Sequence, residues 1–275
     1  MKIAYTGWTW INGGDRNASV RQLESSFREL KYLGYDYVEN FAFIADYFPD
    51  PTELTALLKK YDMQLVNLYG FFDFDVNGSL ERCKKQVDFL AAVGGTHFNC
   101  QNEGFGDDGP CERPTDLDKV ALTAEIANKF GEYARGKGIE VCFHPHYGTC
   151  VFTENDIDAF LARTDRANVS LCLDTAHTCL AGMGPAAAVR KYAERIGYMH
   201  LKDVDVHALS KAQGREKMRA FRALGEGNIS FPAVIEALKE GGFDGYLCVE
   251  LDNPRICNYQ SAETSRKYIK SVLGM

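Results

Sequence analysis

The chain has 275 residues, of which 45% are hydrophobic and 25% charged, an ordinary globular composition that excludes disordered and collagen-like proteins. Its 31 basic and 38 acidic residues give a net charge of −7, which repels polyanions and argues against nucleic acid as a partner. The chain opens on a strand pattern, and it has neither an apolar run that approaches about 18 residues nor a Cys-x-x-Cys pair, so we expect a cytoplasmic protein without membrane contact.

Short apolar runs alternate with longer amphipathic segments along the whole chain. The predicted strands are 2–8, 35–40, 64–70, 96–101, 140–146, 169–174, 198–203 and 246–252. The predicted helices are 19–33, 52–61, 80–93, 116–137, 155–163, 185–196, 231–240 and 261–273. Glycines such as Gly34 and Gly197 lie where a helix is expected to end before the next strand. Eight strand-helix units of about 34 residues predict a single (β/α)8 TIM barrel, an α/β fold, over residues 1–275.

An open doubly wound sheet is the alternative architecture. Such a sheet usually carries a Gly-x-Gly-x-x-Gly loop after its first strand. The segment from Trp8 to Gly14 does not have this pattern, which favours the barrel.

Polar side chains collect at the carboxyl ends of the predicted strands, where barrel enzymes carry their active sites. In chain order they are Glu39, Gln101, His144, His146, Asp174, His177, His200, Lys202, Glu250 and Asp252. Because side chains alternate along a strand, the pairs that are two residues apart are expected to face one mouth of the barrel. Mixed imidazole and carboxylate groups suit Mn²⁺, Co²⁺, Fe²⁺ or Zn²⁺ better than a structural thiolate zinc site.

Four motifs in the second half of the chain carry a family resemblance. They are Asp174-Thr175-Ala176-His177, His200-Leu201-Lys202-Asp203, Gly225-Glu226-Gly227 and Val249-Glu250-Leu251-Asp252. In this order they resemble the xylose isomerase-like barrel family of sugar isomerases, epimerases and inosose dehydratases. The resemblance covers nearly the whole chain and implies one divalent metal, held by one residue from each of strands five to eight.

The resemblance implies that His144, Asp174, His200 and Glu250 bind this metal, with Mn²⁺ or Co²⁺ preferred and Zn²⁺ or Fe²⁺ as alternatives. His144 departs from the pattern, because many isomerases have a glutamate at this position. That glutamate often doubles as the proton-transferring base, so its replacement disfavours a 3-epimerase that uses two bases. A histidine that contacts the substrate is the alternative role for His144.

The segment from His144 to Thr149 is similar to the histidine-rich strand five of inosose dehydratase-like members, which eliminate water from a keto-inositol. A related branch cleaves 3-keto C-glycosides, and both reactions begin by removing the proton α to the ketone. The resemblance therefore implies a lyase that acts on a cyclic polyhydroxy ketone through a metal-stabilised enediolate. A sugar isomerase or epimerase is the alternative, and a non-catalytic sugar-binding barrel is a lesser one.

The remaining polar residues have expected roles in catalysis and substrate binding. His146 is the candidate base, because an imidazole with its ordinary pKa of about 6.5 accepts a proton at neutral pH. Lys202 is expected to neutralise the enediolate or to protonate the leaving hydroxyl. Candidate contacts for the substrate are Glu39, Gln101, His177 and Asp252.

Two further expectations concern partners and the segment after the seventh strand. The substrate is expected to be a small sugar or inositol derivative, and the protein is expected to act as a homo-oligomer or with a small accessory subunit. Residues 204–227 are basic in their middle and are expected to form a lid, a phosphate contact or a solvated helix.

A DNA-repair endonuclease of the related endonuclease-four type is disfavoured by the negative charge and by the shortage of ligands for three zinc ions.

Overall fold

A computed structural model describes residues 1–102 and 114–275 and contains a closed barrel of eight parallel strands. The barrel strands are β1 (Lys2–Thr6), β2 (Tyr37–Phe41), β3 (Gln64–Phe72), β4 (His97–Asn102), β5 (Glu140–Phe143), β6 (Ser170–Asp174), β7 (Ile196–Leu201) and β10 (Tyr246–Val249). Each strand pairs with its neighbour along the chain, and β10 closes the barrel against β1. The prediction of a (β/α)8 barrel is confirmed.

The helices surround this barrel. They are α1 (Arg16–Leu33), α2 (Pro51–Lys60), α3 (Val76–Ala92), α4 (Leu117–Arg135), α5 (Glu154–Leu161), α6 (Thr175–Leu180), α7 (Pro185–Tyr192), α8 (Val206–Lys211), α9 (Phe231–Glu240) and α10 (Asn258–Tyr268). Helix α1 shows the local signals: the Asp15 carboxylate accepts the Ala18 N–H at its start, and Gly34 ends it with a φ of 89°. None of the helices in the described ranges combines the length and hydrophobicity needed to cross a bilayer.

Apolar packing joins the helices to the outer face of the strands. Phe143 on β5 packs on Phe160 of α5 with ring centroids 4.2 Å apart, and Phe98 on β4 packs on Phe130 of α4 at 5.0 Å. The inner face of the barrel differs, because near its carboxyl end it carries buried polar groups such as Glu39, which is 1% exposed. The apolar layer therefore lies between the strands and the helices, and the polar groups lie inside the barrel.

Several element boundaries differ from the sequence prediction. Strand β5 ends at Phe143 rather than at residue 146, because the chain turns there and the His146 N–H donates to the Val151 carbonyl. Gly197 lies inside β7 and does not end a helix; a Cβ at this position would lie 2.3 Å from Oε1 of Glu140. Helix α6 follows Asp174 directly, where no helix was expected.

The segment after β7 also differs from the single solvated helix that was one of its expected structures. It contains the short helix α8 and a two-stranded antiparallel ribbon of β8 (Asp203–Val204) and β9 (Phe221–Arg222). The buried Asp203 carboxylate accepts the backbone N–H groups of Gly225, Gly227 and Ile229 at 2.9–3.0 Å. This arrangement accounts for the Gly-Glu-Gly motif, because a Cβ at position 227 would lie 2.4 Å from Oδ1 of Asp203.

Candidate metal centre and active site

Asp174 lies at the junction of β6 and α6 and caps the helix. Its Oδ1 atom accepts the His177 N–H at 2.8 Å, which orients the carboxylate. Its Oδ2 atom is buried and has no hydrogen-bond partner among the described residues. Burial raises the pKa of Asp174 to about 6. This buried carboxylate oxygen therefore faces the barrel mouth without a hydrogen bond from the described residues, and Lys202 Nζ lies 3.7 Å away.

His200 lies on β7 and presents its two ring nitrogens to different partners. Its Nε2 atom is 3.0 Å from Oε2 of Glu39, and because a carboxylate accepts, Nε2 carries the proton. Its Nδ1 atom lies 3.0 Å from Oε2 of Glu250 and 4.0 Å from Oδ2 of Asp174. Burial opposes protonation, yet the facing carboxylates of Glu39 and Glu250 raise the pKa of His200 well above its ordinary value, so the ring is an imidazolium while no metal is bound. Two carboxylates and an imidazole nitrogen that can bind a metal in place of its proton therefore face one another in a buried site.

This cluster of Asp174, His200 and Glu250 fits a divalent cation. One ligand atom from each residue lies within 4.8 Å of the others, and all three residues are buried. Asp174 Oδ2 lacks a hydrogen-bond partner in the described part of the chain, which is costly for a buried polar atom unless a cation is bound. Two carboxylates and an imidazole are a suitable donor set for Mn²⁺, Co²⁺, Fe²⁺ or Zn²⁺.

His144 follows β5 and lies between this cluster and two more histidines. Its Nδ1 atom is 3.0 Å from the Cys172 carbonyl, which only accepts, so Nδ1 carries the proton and Nε2 keeps a lone pair. Its ring centroid lies 4.9 Å from that of His200. One nitrogen of His144 also lies within 4.8 Å of nitrogens of His146 and His177. Its role as fourth metal ligand stays a prediction, as does its alternative contact with the substrate.

His146 and His177 lie side by side, with ring centroids 3.9 Å apart, and carry opposite tautomers. His146 Nδ1 is 2.7 Å from the Tyr147 carbonyl, so Nδ1 is protonated and Nε2 has a lone pair. His177 Nδ1 accepts the Tyr147 backbone N–H at 3.3 Å, so the neutral ring carries its proton on Nε2. Burial lowers the pKa of His146 to about 4, which corrects the expectation of an ordinary imidazole pKa, and lowers the pKa of His177 well below its ordinary value. Nε2 of His146 can thus accept a proton or a hydrogen bond, and Nε2 of His177 can donate one.

Lys202 directly follows β7 and is only 1% exposed. Its Nζ atom lies 2.9 Å from Asp252, 3.0 Å from Glu250 and 3.7 Å from Asp174. It also lies 4.9 Å from the ring centre of Phe221 on β9. The sequence predicts that Lys202, Glu250 and Asp252 face one mouth of the barrel. The structure brings these side chains into contact, with Asp252 nearest to the lysine.

Glu39 and Gln101 lie behind and beside the cluster. The Glu39 carboxylate contacts His200 and accepts hydrogen bonds from the side-chain amides of Asn67 and Asn99. Gln101 accepts a hydrogen bond from the hydroxyl of Tyr69, whose ring stacks on His200 with centroids 5.9 Å apart. These contacts give Glu39 an orienting position beneath His200, while its predicted contact with the substrate remains untested.

Two neighbours of the site were not singled out from the sequence. Asn67 is a polar residue within the apolar run of β3, and this break in the pattern was the available signal. Phe221 reaches Lys202 only because β8 and β9 pair, and no periodic pattern marks a two-residue strand.

Comparison with known proteins agrees with the fold. The family model described as "Xylose isomerase-like TIM barrel" matches residues 27–272. An inosose dehydratase from Clostridium beijerinckii is 30% identical over 296 aligned residues, which cover 100% of this chain and 97% of the relative. A crystal structure of IOLI protein with a zinc atom has a TM-score of 0.77 at 18% identity and covers 100% and 98% of the two chains. A D-allulose 3-epimerase from Methylomonas sp. has a TM-score of 0.76 at 21% identity, with 98% and 97% covered.

The fold and the buried ligand cluster define a TIM-barrel protein with its site at the carboxyl ends of the strands. The chain belongs to the xylose isomerase-like TIM-barrel family. The family resemblance predicted from the sequence is confirmed.

Proposed function

We propose that this enzyme is a metal-dependent lyase that removes water from a cyclic polyhydroxy ketone such as a keto-inositol. The observation that carries the proposal is the placement of His146, with a lone pair on Nε2, next to His144, whose ring lies 4.9 Å from that of His200 in the buried cluster. The similarity to inosose dehydratases over the whole chain supports the same reaction class. Histidine rather than glutamate at position 144 favours elimination over epimerisation by two carboxylates.

Asp174, His200 and Glu250 would hold the metal, with Nε2 of His144 as the fourth donor. The donor set is compatible with Mn²⁺ or Co²⁺ as the preferred ion and with Zn²⁺ or Fe²⁺ as alternatives. When bound, the metal supplies Lewis acidity, which polarises the ketone and makes the neighbouring C–H bond more acidic.

His146 is the proposed base. Its Nε2 atom takes the proton α to the ketone, and the electron pair of the broken C–H bond moves toward the carbonyl. The resulting imidazolium then protonates the β-hydroxyl, the C–O bond breaks, and one water leaves as the carbon–carbon double bond forms. No other proton source is needed. The buried ammonium of Lys202 neutralises part of the negative charge that develops on the substrate oxygen.

The remaining site residues are proposed to orient the ring. His177 presents Nε2–H, which donates to a substrate oxygen, and Gln101 lies at the end of β4 with one side-chain oxygen fixed by Tyr69. Asp252 and Glu39 are proposed to act through Lys202 and His200, which they contact.

The reaction is tested by supplying metal-loaded protein with keto-inositols and 3-keto C-glycosides and following the products by mass spectrometry. Loss of one water from a keto-inositol supports the lyase, and this loss is expected to disappear in Asp174→Ala. A product of unchanged mass and inverted stereochemistry indicates the alternative, a sugar epimerase. Release of an aglycone indicates C-glycoside cleavage, and no conversion of any of these compounds contradicts the proposed substrate class.

A further inference from the structure

Lys202 is the one lysine or arginine side chain that contacts the candidate metal ligands within the described residues. Its Nζ atom lies 3.0 Å from Glu250 and 3.7 Å from Asp174, both of which are proposed to bind the metal. The ammonium therefore binds the same carboxylate oxygens that a metal would use. This inference rests on the metal site of the proposed function.

Charge compensation explains why the cluster tolerates burial. Three carboxylates, those of Asp174, Glu250 and Asp252, converge on one ammonium in a site that is largely closed to water. Buried carboxylates are costly without a counter-charge, and Lys202 supplies one.

Two other contacts determine where the ammonium lies. Asp252, whose side chain is 17% exposed, is bound at 2.9 Å, closer than Asp174. The face of Phe221 lies 4.9 Å from Nζ on the ribbon formed after β7. Asp252 therefore holds the ammonium nearer to itself than to Oδ2 of Asp174, which lies 3.7 Å from Nζ.

We infer that Lys202 is a built-in competitor of the metal, which occupies the ligand carboxylates in the metal-free protein, and that Asp252 restrains this competition. A positive charge within a few ångströms of a divalent cation repels it, so the lysine lowers metal affinity. A neutral residue at position 202 removes both the repulsion and the competing ion pair. A neutral residue at position 252 frees the ammonium to bind Glu250 and Asp174 more closely. The two substitutions thus change metal affinity in opposite directions, whereas a purely structural role would weaken binding in both.

The test is calorimetric titration of chelator-stripped protein with Mn²⁺ and, separately, Co²⁺ at pH 7.5. Lys202→Met is expected to bind about tenfold or more tightly than the wild type, and Asp252→Asn about threefold or more weakly. Lys267→Met is the matched control, because Lys267 is a solvent-exposed lysine paired with Glu263 on α10 and lies outside the site. The metal affinity of Lys267→Met is expected to equal that of the wild type. Visible absorption of bound Co²⁺ reports whether the ligand set is the same in each protein.

The outcomes separate this inference from the proposed function. A wild-type protein that binds neither ion contradicts the metal site itself, and the inference with it. A wild type that binds metal, together with a folded Lys202→Met that binds equally or more weakly, overturns the inference alone. If Lys202→Met does not fold, the double variant Lys202→Met/Asp252→Asn, which removes the whole ion pair, decides: tighter binding than that of Asp252→Asn supports the competition, and equal or weaker binding overturns it.

Discussion

Glu39 and His200 are in direct contact beneath the candidate metal centre, with Oε2 of the glutamate 3.0 Å from Nε2 of the histidine. Asn67 and Asn99 donate to the same carboxylate, so three donors fix it inside the barrel. This contact keeps a proton on Nε2, so Nδ1 is the ring nitrogen that faces Asp174 and Glu250 and is placed to bind a metal. A hydrogen bond on the far nitrogen of a metal-binding histidine typically orients the ring and raises its basicity.

Replacing Glu39 with glutamine is therefore expected to weaken metal binding about 10- to 100-fold, because His200 loses the negatively charged acceptor that fixes its tautomer and raises its basicity. Affinity is measured by titrating stripped protein with Mn²⁺, and Glu53→Gln on the surface of α2 serves as the control. Equal affinities of Glu39→Gln and wild type would contradict the orienting role.

Loss of His146 is expected to reduce turnover without removing the metal. A side chain that moves the proton in the transition state contributes about 10²- to 10⁴-fold, so His146→Ala should lower kcat by that range. Metal content by elemental mass spectrometry should stay at the wild-type value. Loss of metal together with activity would instead assign His146 to the ligand set.

The buried histidines make stability depend on pH. Burial lowers the pKa of His146 to about 4, so between about pH 6.5 and pH 4 the unfolded chain binds a proton that the folded protein does not. This contribution to stability is present above pH 6.5 and is lost as the pH falls. Because the ring is partly exposed, we expect about 1–2 kcal/mol from His146 in metal-free protein between pH 7.5 and pH 5.

The measurement is urea unfolding at those two pH values for wild type and His146→Gln. His146→Gln is expected to lose less free energy of unfolding than the wild type when the pH falls from 7.5 to 5. The difference between the two losses should be about 1–2 kcal/mol. His207→Gln is the control, because His207 is an exposed residue on α8. Identical losses in wild type and His146→Gln would show that the buried environment does not disfavour the charged ring.

Gly227 is expected to tolerate no side chain. A Cβ there would lie 2.4 Å from Oδ1 of Asp203 and 2.6 Å from the Val204 carbonyl. Gly227→Ala should therefore reduce the free energy of unfolding by about 1–3 kcal/mol. Gly184→Ala, where the nearest atom lies at 3.9 Å, is the comparison and should be close to wild type in urea unfolding. A stable Gly227→Ala would mean that the ribbon after β7 adjusts without cost.

Much of the fold was predictable because its signals are local and repeated. Apolar runs alternate with amphipathic segments at a regular spacing, and the polar strand ends indicate which mouth of the barrel carries the site. The proximity of His144 and His146 was also predicted, but for an incomplete reason. Strand β5 ends at Phe143, so the turn that follows, rather than strand alternation, brings their ring centroids to 5.5 Å.

The remaining features of the candidate site depend on contacts between residues that are distant in sequence. The tautomer of His177 follows from the Tyr147 N–H, and the surroundings of Lys202 include Phe221 from a ribbon two residues wide. The position of Glu39 beneath His200 follows from barrel closure, which brings β2 and β7 to face the same interior. Periodicity along one segment carries no information about these long-range contacts.

The most direct test of the central claim is proton NMR of a keto-inositol in D2O with metal-loaded enzyme. Metal-dependent removal of the proton α to the ketone, followed by loss of water, predicts disappearance of the α C–H signal and appearance of an unsaturated or diketone product. Both changes should be absent after chelation and in Asp174→Ala. A substrate spectrum that stays unchanged with metal-loaded wild-type protein would contradict the account.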